Sequence, residues 1–267
     1  MKYAFMTFSC PELSFAEVLN AARRFGYDGI EPRLESGHAH GIECAALAAR
    51  RRAFRSEAAD AGIAICCLAT SCEVALAAPA PETVETLRRT IDLAADVGAP
   101  ALRVFGGRFE ADTSRAAAVD CAAGVLGAVA SEAQDAGVSI CVETHDSWCR
   151  PQDLAALLER VDHPAVAVNW DIMHPVRRGG VTMEEAHTLL APWIRHVHFH
   201  DGVSEDGGQL LRAIGTGIVD HRTAVRLLLA SGYDGYLSGE WIGWEPYDVH
   251  LPRELQVMKR YEAEARS

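Results

Sequence analysis

No stretch of this sequence stays apolar for anything near the ~18 residues that a membrane-spanning helix needs. Positive charge is scarce: 25 Lys and Arg stand against 37 Asp and Glu, for a net charge of −12. No overall field favours phosphate backbones or anionic lipid, so neither nucleic acid nor membrane is expected as a partner. Among the eight cysteines there is no C-x-x-C, and the spacing, with Cys66 and Cys67 adjacent, suits neither a disulfide framework nor a zinc ribbon. They read as small buried residues in a reducing compartment, and the cytoplasm is the expected location. The apolar stretch at residues 3–8 is too short for a secretory signal and reads as a first strand. A G-x-G-x-x-G after a strand and a G-x-x-x-x-G-K-[ST] are both missing, which removes the common dinucleotide and nucleotide folds.

What remains is a chain of 267 residues, 49% apolar and 23% charged, long enough to bury a large core without disulfides. Short β-like runs alternate with long helical ones. The strands are expected at 3–8, 29–32, 63–70, 101–105, 138–143, 165–170, 196–200 and 235–240. Apolar spacing of three to four residues puts helices near 14–25, 43–61, 81–97, 113–136, 151–161, 182–192, 219–231 and 250–264. Gly26, Gly62, Gly98, Gly137 and Gly232 each stand where a helix should close. Eight such units in strict alternation point to a (β/α)8 TIM barrel, and no linker divides residues 1–267, so one domain is expected.

In such a barrel the chemistry sits at the C-terminal ends of the strands. The fifth to eighth expected strands deliver Glu143, Asp171, His198 and Glu240 to one rim. Three converging carboxylates repel one another unless a cation lies among them. With one imidazole they make a ligand set for a single divalent ion, Mn²⁺ first, with Mg²⁺, Co²⁺ or Zn²⁺ as alternatives. His196, His198 and His200 alternate along one strand and so share a face at different depths. The deepest, His196, reads as a hydrogen-bonded core residue. His200, nearest the rim, is expected to contact substrate or to compete as the ligand.

The runs Tyr27-Asp28-Gly29-Ile30-Glu31, Val142-Glu143-Thr144-His145, Asp171-Ile172-Met173-His174, His196-Val197-His198-Phe199-His200-Asp201, Gly215-Thr216-Gly217 and 232–240 resemble the xylose isomerase-like barrels. More closely, they are similar to the sugar phosphate isomerase/epimerase group, with its ketose 3-epimerases, hydroxypyruvate isomerase and inosose dehydratases. The resemblance implies the same four metal ligands, with Glu143 and Glu240 as acid and base on opposite faces of a bound sugar. It further implies that His174 hydrogen-bonds a substrate oxygen and that Glu31 lies near the site, a structural salt bridge being the other reading of Glu31. The ketose epimerases usually carry an arginine shortly after the seventh-strand histidines, whereas here it comes only at Arg212. The extra histidines of the related abasic-site endonuclease are missing from the third and fourth strands.

Other residues are expected to shape the pocket: Arg103, whose facing alternation leaves open, and Trp241 with Trp148, Trp170 and Trp244, whose indole faces suit sugar C–H groups, with ordinary core packing as the alternative for some of the four. His38 and His40 fall in the loop after the second strand, where a solvated loop or part of a lid is expected. The expected activity is a metal-dependent isomerase or epimerase of a small carbohydrate or keto-polyol, acting by proton abstraction beside a carbonyl through an enediolate. A dehydratase of the inosose type and a sugar-binding barrel without turnover are the alternatives. A homo-oligomer is compatible with the sequence.

Overall fold

Side chains of a strand alternate between two faces, and here that alternation builds a closed ring. The computed structural model describes residues 1–75, 80–109, 112–205 and 208–267. Parallel strands follow one another around the ring: β1 (Lys2–Met6), β2 (Gly29–Glu31), a third in two pieces, β3 (Ala64–Ile65) and β4 (Leu68–Glu73), then β5 (Ala101–Phe105), β6 (Ser139–Glu143), β7 (Val166–Asp171) and β8 (Ile194–Phe199). After a hairpin of β9 (Asp201–Glu205) and β10 (Gly208–Arg212), β11 (Tyr236–Gly239) completes it. The order β3-β2-β1-β11-β8-β7-β6-β5-β4 begins and ends on the two pieces of one strand, and a parallel bridge from Arg33, just past β2, to Ala69 of β4 closes the ring. Outside lie α1 (Phe15–Phe25), α2 (Ala48–Ala61), α3 (Ala80–Val97), α4 (Arg115–Gly127), α5 (Ala130–Asp135), α6 (Pro151–Val161), α7 (Met183–Leu190), α8 (His221–Ala230) and α9 (Tyr247–Arg266). The fold is the expected α/β TIM barrel, and the five glycines expected to close helices all lie at positive φ.

Three departures from the expected elements have physical reasons. The third strand breaks because Cys66 and Cys67, adjacent in sequence, both pack into the barrel interior. A regular strand would turn them to opposite faces. The helix expected at 113–136 divides where Val129 leaves helical geometry, at φ −125° and ψ −4°. The hairpin carries little apolar alternation in 201–208, so periodicity gave no strand signal there.

The outward faces of the strands, including Leu102, Val104, Ile140, Val142, Val166, Val168 and Val197, join the helices in the main core. The inward faces are layered. Ala4, Cys66, Cys67, Ala101, Cys141 and Ala167 form a small-residue cluster with Tyr236 packed against it. Further along the same faces come Arg103, Glu143, Asn169, Asp171, His196 and His198, all buried. Among the described residues no helix is long and apolar enough to cross a membrane.

Candidate metal centre and active-site cleft

Register brings the polar residues together. Asp171 pairs with His198, Ser238 with His198, Glu143 with Asn169, and Phe105 with Glu143, so the strand ends of β5 to β8 and β11 stand nearly level. One ligand atom from each of Glu143, Asp171, His198 and Glu240 lies within 4.8 Å of the other three. His198 is central: its Nδ1 is 3.0 Å from Glu143 Oε1 and 3.4 Å from Glu240 Oε2. Two further groups overlap the quartet, Glu31 with His196 and His198, and Asp171 with His174 and His200.

Burial in this layer would neutralise isolated charges, and the neighbours decide otherwise. For Asp171, burial pushes the carboxyl up, but His200 and His174 hold it well below the usual carboxylate range. Burial likewise opposes Glu31, where His198 and His196 keep it ionised. For Glu240 burial is overcome by the His198 hydrogen bond, which holds the group down at about 2. His198 resists the desolvation that would lower it, because Glu31 and Glu143 raise it well above the ordinary imidazole value. His200 is raised by Asp171, at 2.8 Å, against the same penalty. His174 goes the other way, lowered chiefly by burial.

The donor set fits a divalent ion. Four buried or nearly buried carboxylates (Glu31, Glu143, Asp171, Glu240) face two guanidiniums, Arg103 and Arg33, the latter lowered by burial and by Arg103 to about 10. The remaining deficit of two charges matches one 2+ ion with neutral imidazoles. Arg103 Nε is 3.4 Å from Glu143 Oε2, but neither atom has a hydrogen-bond partner among the described residues. Glu143 Oε2 is thus an oxygen with coordinating capacity left over.

A cleft of about 230 Å³ opens above this centre, lined by His145, His174, His200, Leu211, Glu240 and Ile242. It is smaller than the ~300–1,000 Å³ typical of drug-sized ligands, which suits a single small ring or short polyol. His145 and His174 meet edge to face at 4.6 Å, and His174 and His200 at 5.8 Å.

Several expected residues fall elsewhere than the sequence suggested. Glu31 does not line the cleft: it is fully buried beneath it, on His196 and His198. Arg103 points inward, resolving the alternation, yet is also fully buried, with Nη1 on the Thr70 carbonyl at 2.8 Å. Trp241, expected to contact substrate, is instead a core residue. Its ring lies edge-on to Phe199 at 5.5 Å and covers Gly239, where a Cβ would sit 2.2 Å from the indole. Trp148 and Trp170 are buried too, and Trp244, with an edge of Trp241, lines a neighbouring cleft. His40 is neither solvated nor at the mouth: both ring nitrogens are engaged, on Arg33 O and Ile42 N. His38 meets Thr7 Oγ1 at 3.0 Å. Arg212 is exposed and does not line the cleft.

Sequence reasoning missed His145, Arg33, Leu211 and Ile242 as neighbours of the site. His145 and Arg33 continue the inward alternation of Glu143 and Glu31 two residues past each strand end, a usable signal. Leu211 and Ile242 gave none. The Gly215-Thr216-Gly217 run is explained by Asp201, a buried carboxylate accepting from the amides of Gly202, Gly215, Gly217 and Val219. A Cβ at Gly217 would lie 2.1 Å from its Oδ1.

Comparison with known proteins bears on both fold and site. The xylose isomerase-like TIM barrel family matches residues 19–261. A 3-dehydroshikimate dehydratase of Bacillus anthracis is 25% identical over 279 residues, 97% of this chain and 96% of that protein. An L-ribulose 3-epimerase superposes with a TM-score of 0.80 at 18% identity, covering 99% of this chain and 95% of the other. A xylose isomerase-like TIM barrel protein from Mycobacterium smegmatis, solved in complex with magnesium, gives 0.78 at 19% identity, covering 100% and 98%. At such identities the two structures speak for the fold.

Proposed function

The chain belongs to the xylose isomerase-like TIM barrel family, and on that premise we propose that it is a divalent-metal-dependent enzyme that removes a proton beside a carbonyl of a small carbohydrate or keto-polyol. The observation that carries this is the quartet Glu143, Asp171, His198 and Glu240, whose ligand atoms lie within 4.8 Å of one another. Mn²⁺ is the ion we assign first, with Mg²⁺, Co²⁺ or Zn²⁺ as substitutes. Bound there, the ion would supply the positive charge that offsets the negative charge developing on a substrate oxygen as the neighbouring carbon loses its proton.

The chain's own residues do the rest. Glu240 is the quartet carboxylate that lines the cleft, so it is placed to take the proton. Glu143 is 1% exposed and lies behind it, held by Arg103 and His198. Three imidazoles line the same cleft. His200, raised by Asp171, is placed to pass a proton toward a leaving hydroxyl, while His174, lowered by burial, is placed to hold a substrate oxygen. One accessible carboxylate with imidazole donors favours elimination of water, and the full-length relative is named for a dehydration.

Isomerisation or epimerisation is the second reading. It is favoured by the bracketing of His198 Nδ1 by Glu143 and Glu240, the two carboxylates that two-sided proton transfer requires. Proton NMR of the Mn²⁺-reconstituted, EDTA-quenched reaction in D₂O separates the readings. The substrates are 3-dehydroshikimate, inososes and ketohexoses. Loss of water with new vinylic or aromatic signals supports the dehydratase, and a deuterated epimer or isomer supports the second reading. Neither turnover nor solvent exchange with any of them contradicts both.

A further inference from the structure

We propose that Glu31 is a positioning residue for the metal centre: it fixes which nitrogen of His198 carries the proton and so aims the other nitrogen at the ion. This rests on the metal reading above. Glu31 is 0% exposed, on β2, three ring positions from β8, and is not part of the cleft lining. A carboxylate so placed is costly unless it is hydrogen-bonded. Its partners are two imidazoles of one strand face: His196 Nε2 at 2.8 Å from Oε2, and His198 Nε2 at 3.1 Å from Oε1 and 3.2 Å from Oε2.

An ionised carboxylate only accepts, so the Nε2 of His198 must be the donor. That leaves Nδ1, which faces Glu143, Glu240 and the Asn169 side-chain amide nitrogen at 3.1 Å, as the one that offers a lone pair when the ring is neutral. Without Glu31 the neutral ring could carry its proton on Nδ1 instead and donate it to Glu143 at 3.0 Å. The ligand nitrogen and a ligand oxygen would then be tied to each other. Glu31 forbids that arrangement, because it would set a bare Nε2 lone pair against a carboxylate. His196, edge-on to His198 at 5.4 Å, holds Glu31 from the deeper side and keeps it from swinging away. Outer carboxylates of this kind commonly contribute 10–100-fold to metal affinity.

The test uses Glu31→Gln, whose amide can donate to Nε2 and so permits the other tautomer. Glu31→Asp serves beside it, keeping the charge but shortening the reach. Mn²⁺ affinity is read from the EPR signal of the free ion, and the His198 tautomer from ring ¹⁵N shifts of the metal-free protein at alkaline pH, where the ring is neutral and no ion dictates the tautomer. Wild type should bind one Mn²⁺ with an Nε2–H ring. Glu31→Gln should bind about 10–100-fold more weakly and show loss of the Nε2–H form, with Glu31→Asp between the two. Wild-type affinity in both variants overturns the proposal, as does weakened binding with the Nε2–H signal intact, which would mark a merely structural role. If wild type itself binds no Mn²⁺, the metal reading fails first, and the positioning role with it.

Discussion

The lower and upper halves of the barrel interior come from the same strand faces, two residues apart. On β7 the inward series runs Ala167, Asn169, Asp171; on β6, Cys141 then Glu143; on β5, Ala101 then Arg103. The lower positions are small and apolar, including Ala4, Cys66, Cys67, Ala101, Cys141 and Ala167. They leave no polar group to satisfy, and the thiols of Cys66 and Cys67 are pushed well above their usual range by burial, so they stay neutral. The upper positions carry carboxylates, guanidiniums and imidazoles that balance only as a set. Stability and chemistry are thus lodged in different layers: one half tolerates no charge, and the other lacks two positive charges unless its imidazoles or an ion provide them.

The comparison breaks most visibly at Ala167. Ala167→Asp should cost at least about 3 kcal/mol, because it buries an unpaired charge among Ala and Cys side chains. Asn169→Asp, two residues higher on the same face, should cost far less in the presence of Mn²⁺. Equal losses in chemical denaturation would show that the two halves do not differ as described. Next in size is the ion itself. Mn²⁺ at about 100 times its Kd should stabilise the wild type by about 2.7 kcal/mol, and Asp171→Asn and His198→Ala should each lose that gain.

The histidines sharpen the contrast through pH. His40 is held down to about 4, first by burial and then by its neighbour His38. Its folded value lies below its unfolded one, so its contribution is present above pH 6.5 and is lost as pH falls toward 4. Between pH 6.5 and 5 this amounts to about 2 kcal/mol, and His40→Gln should flatten that slope. His198 and His200 are raised, so in EDTA their contribution is present at acid pH and is lost as pH rises through their folded values. Excess Mn²⁺ should abolish this alkaline loss by replacing the protons. The smallest effect belongs to Trp241→Phe: about 1 kcal/mol of stability from thinner packing on Phe199, with Mn²⁺ affinity within twofold of wild type. A large rise in KM instead would return Trp241 to the cleft.

Much of this was legible in the sequence because periodicity and strand ends are local. The alternation of His196, His198 and His200 and the carboxylates at four strand termini were enough to bring the quartet to one rim. What escaped were features fixed by distant partners. Glu31 reads as a rim residue until β8 is laid across the ring from it, 165 and 167 residues away, and its two imidazoles draw it downward. Trp241 directly follows Glu240, yet bare Gly239 and Phe199 offer its ring a seat that no local pattern reveals. The hairpin at 201–212 is held by Asp201 through amides up to eighteen residues away, a contact with no periodic signature.

Because three overlapping ligand groups share His198 and Asp171, the position of the ion is the most direct test. Anomalous diffraction at the manganese edge from Mn²⁺-soaked crystals should show a single peak per chain, ~2.0–2.2 Å from ligand atoms of Glu143, Asp171, His198 and Glu240. A peak seated on Glu31, His196 and His198, or on Asp171, His174 and His200 alone, would contradict the assignment, as would two peaks or none.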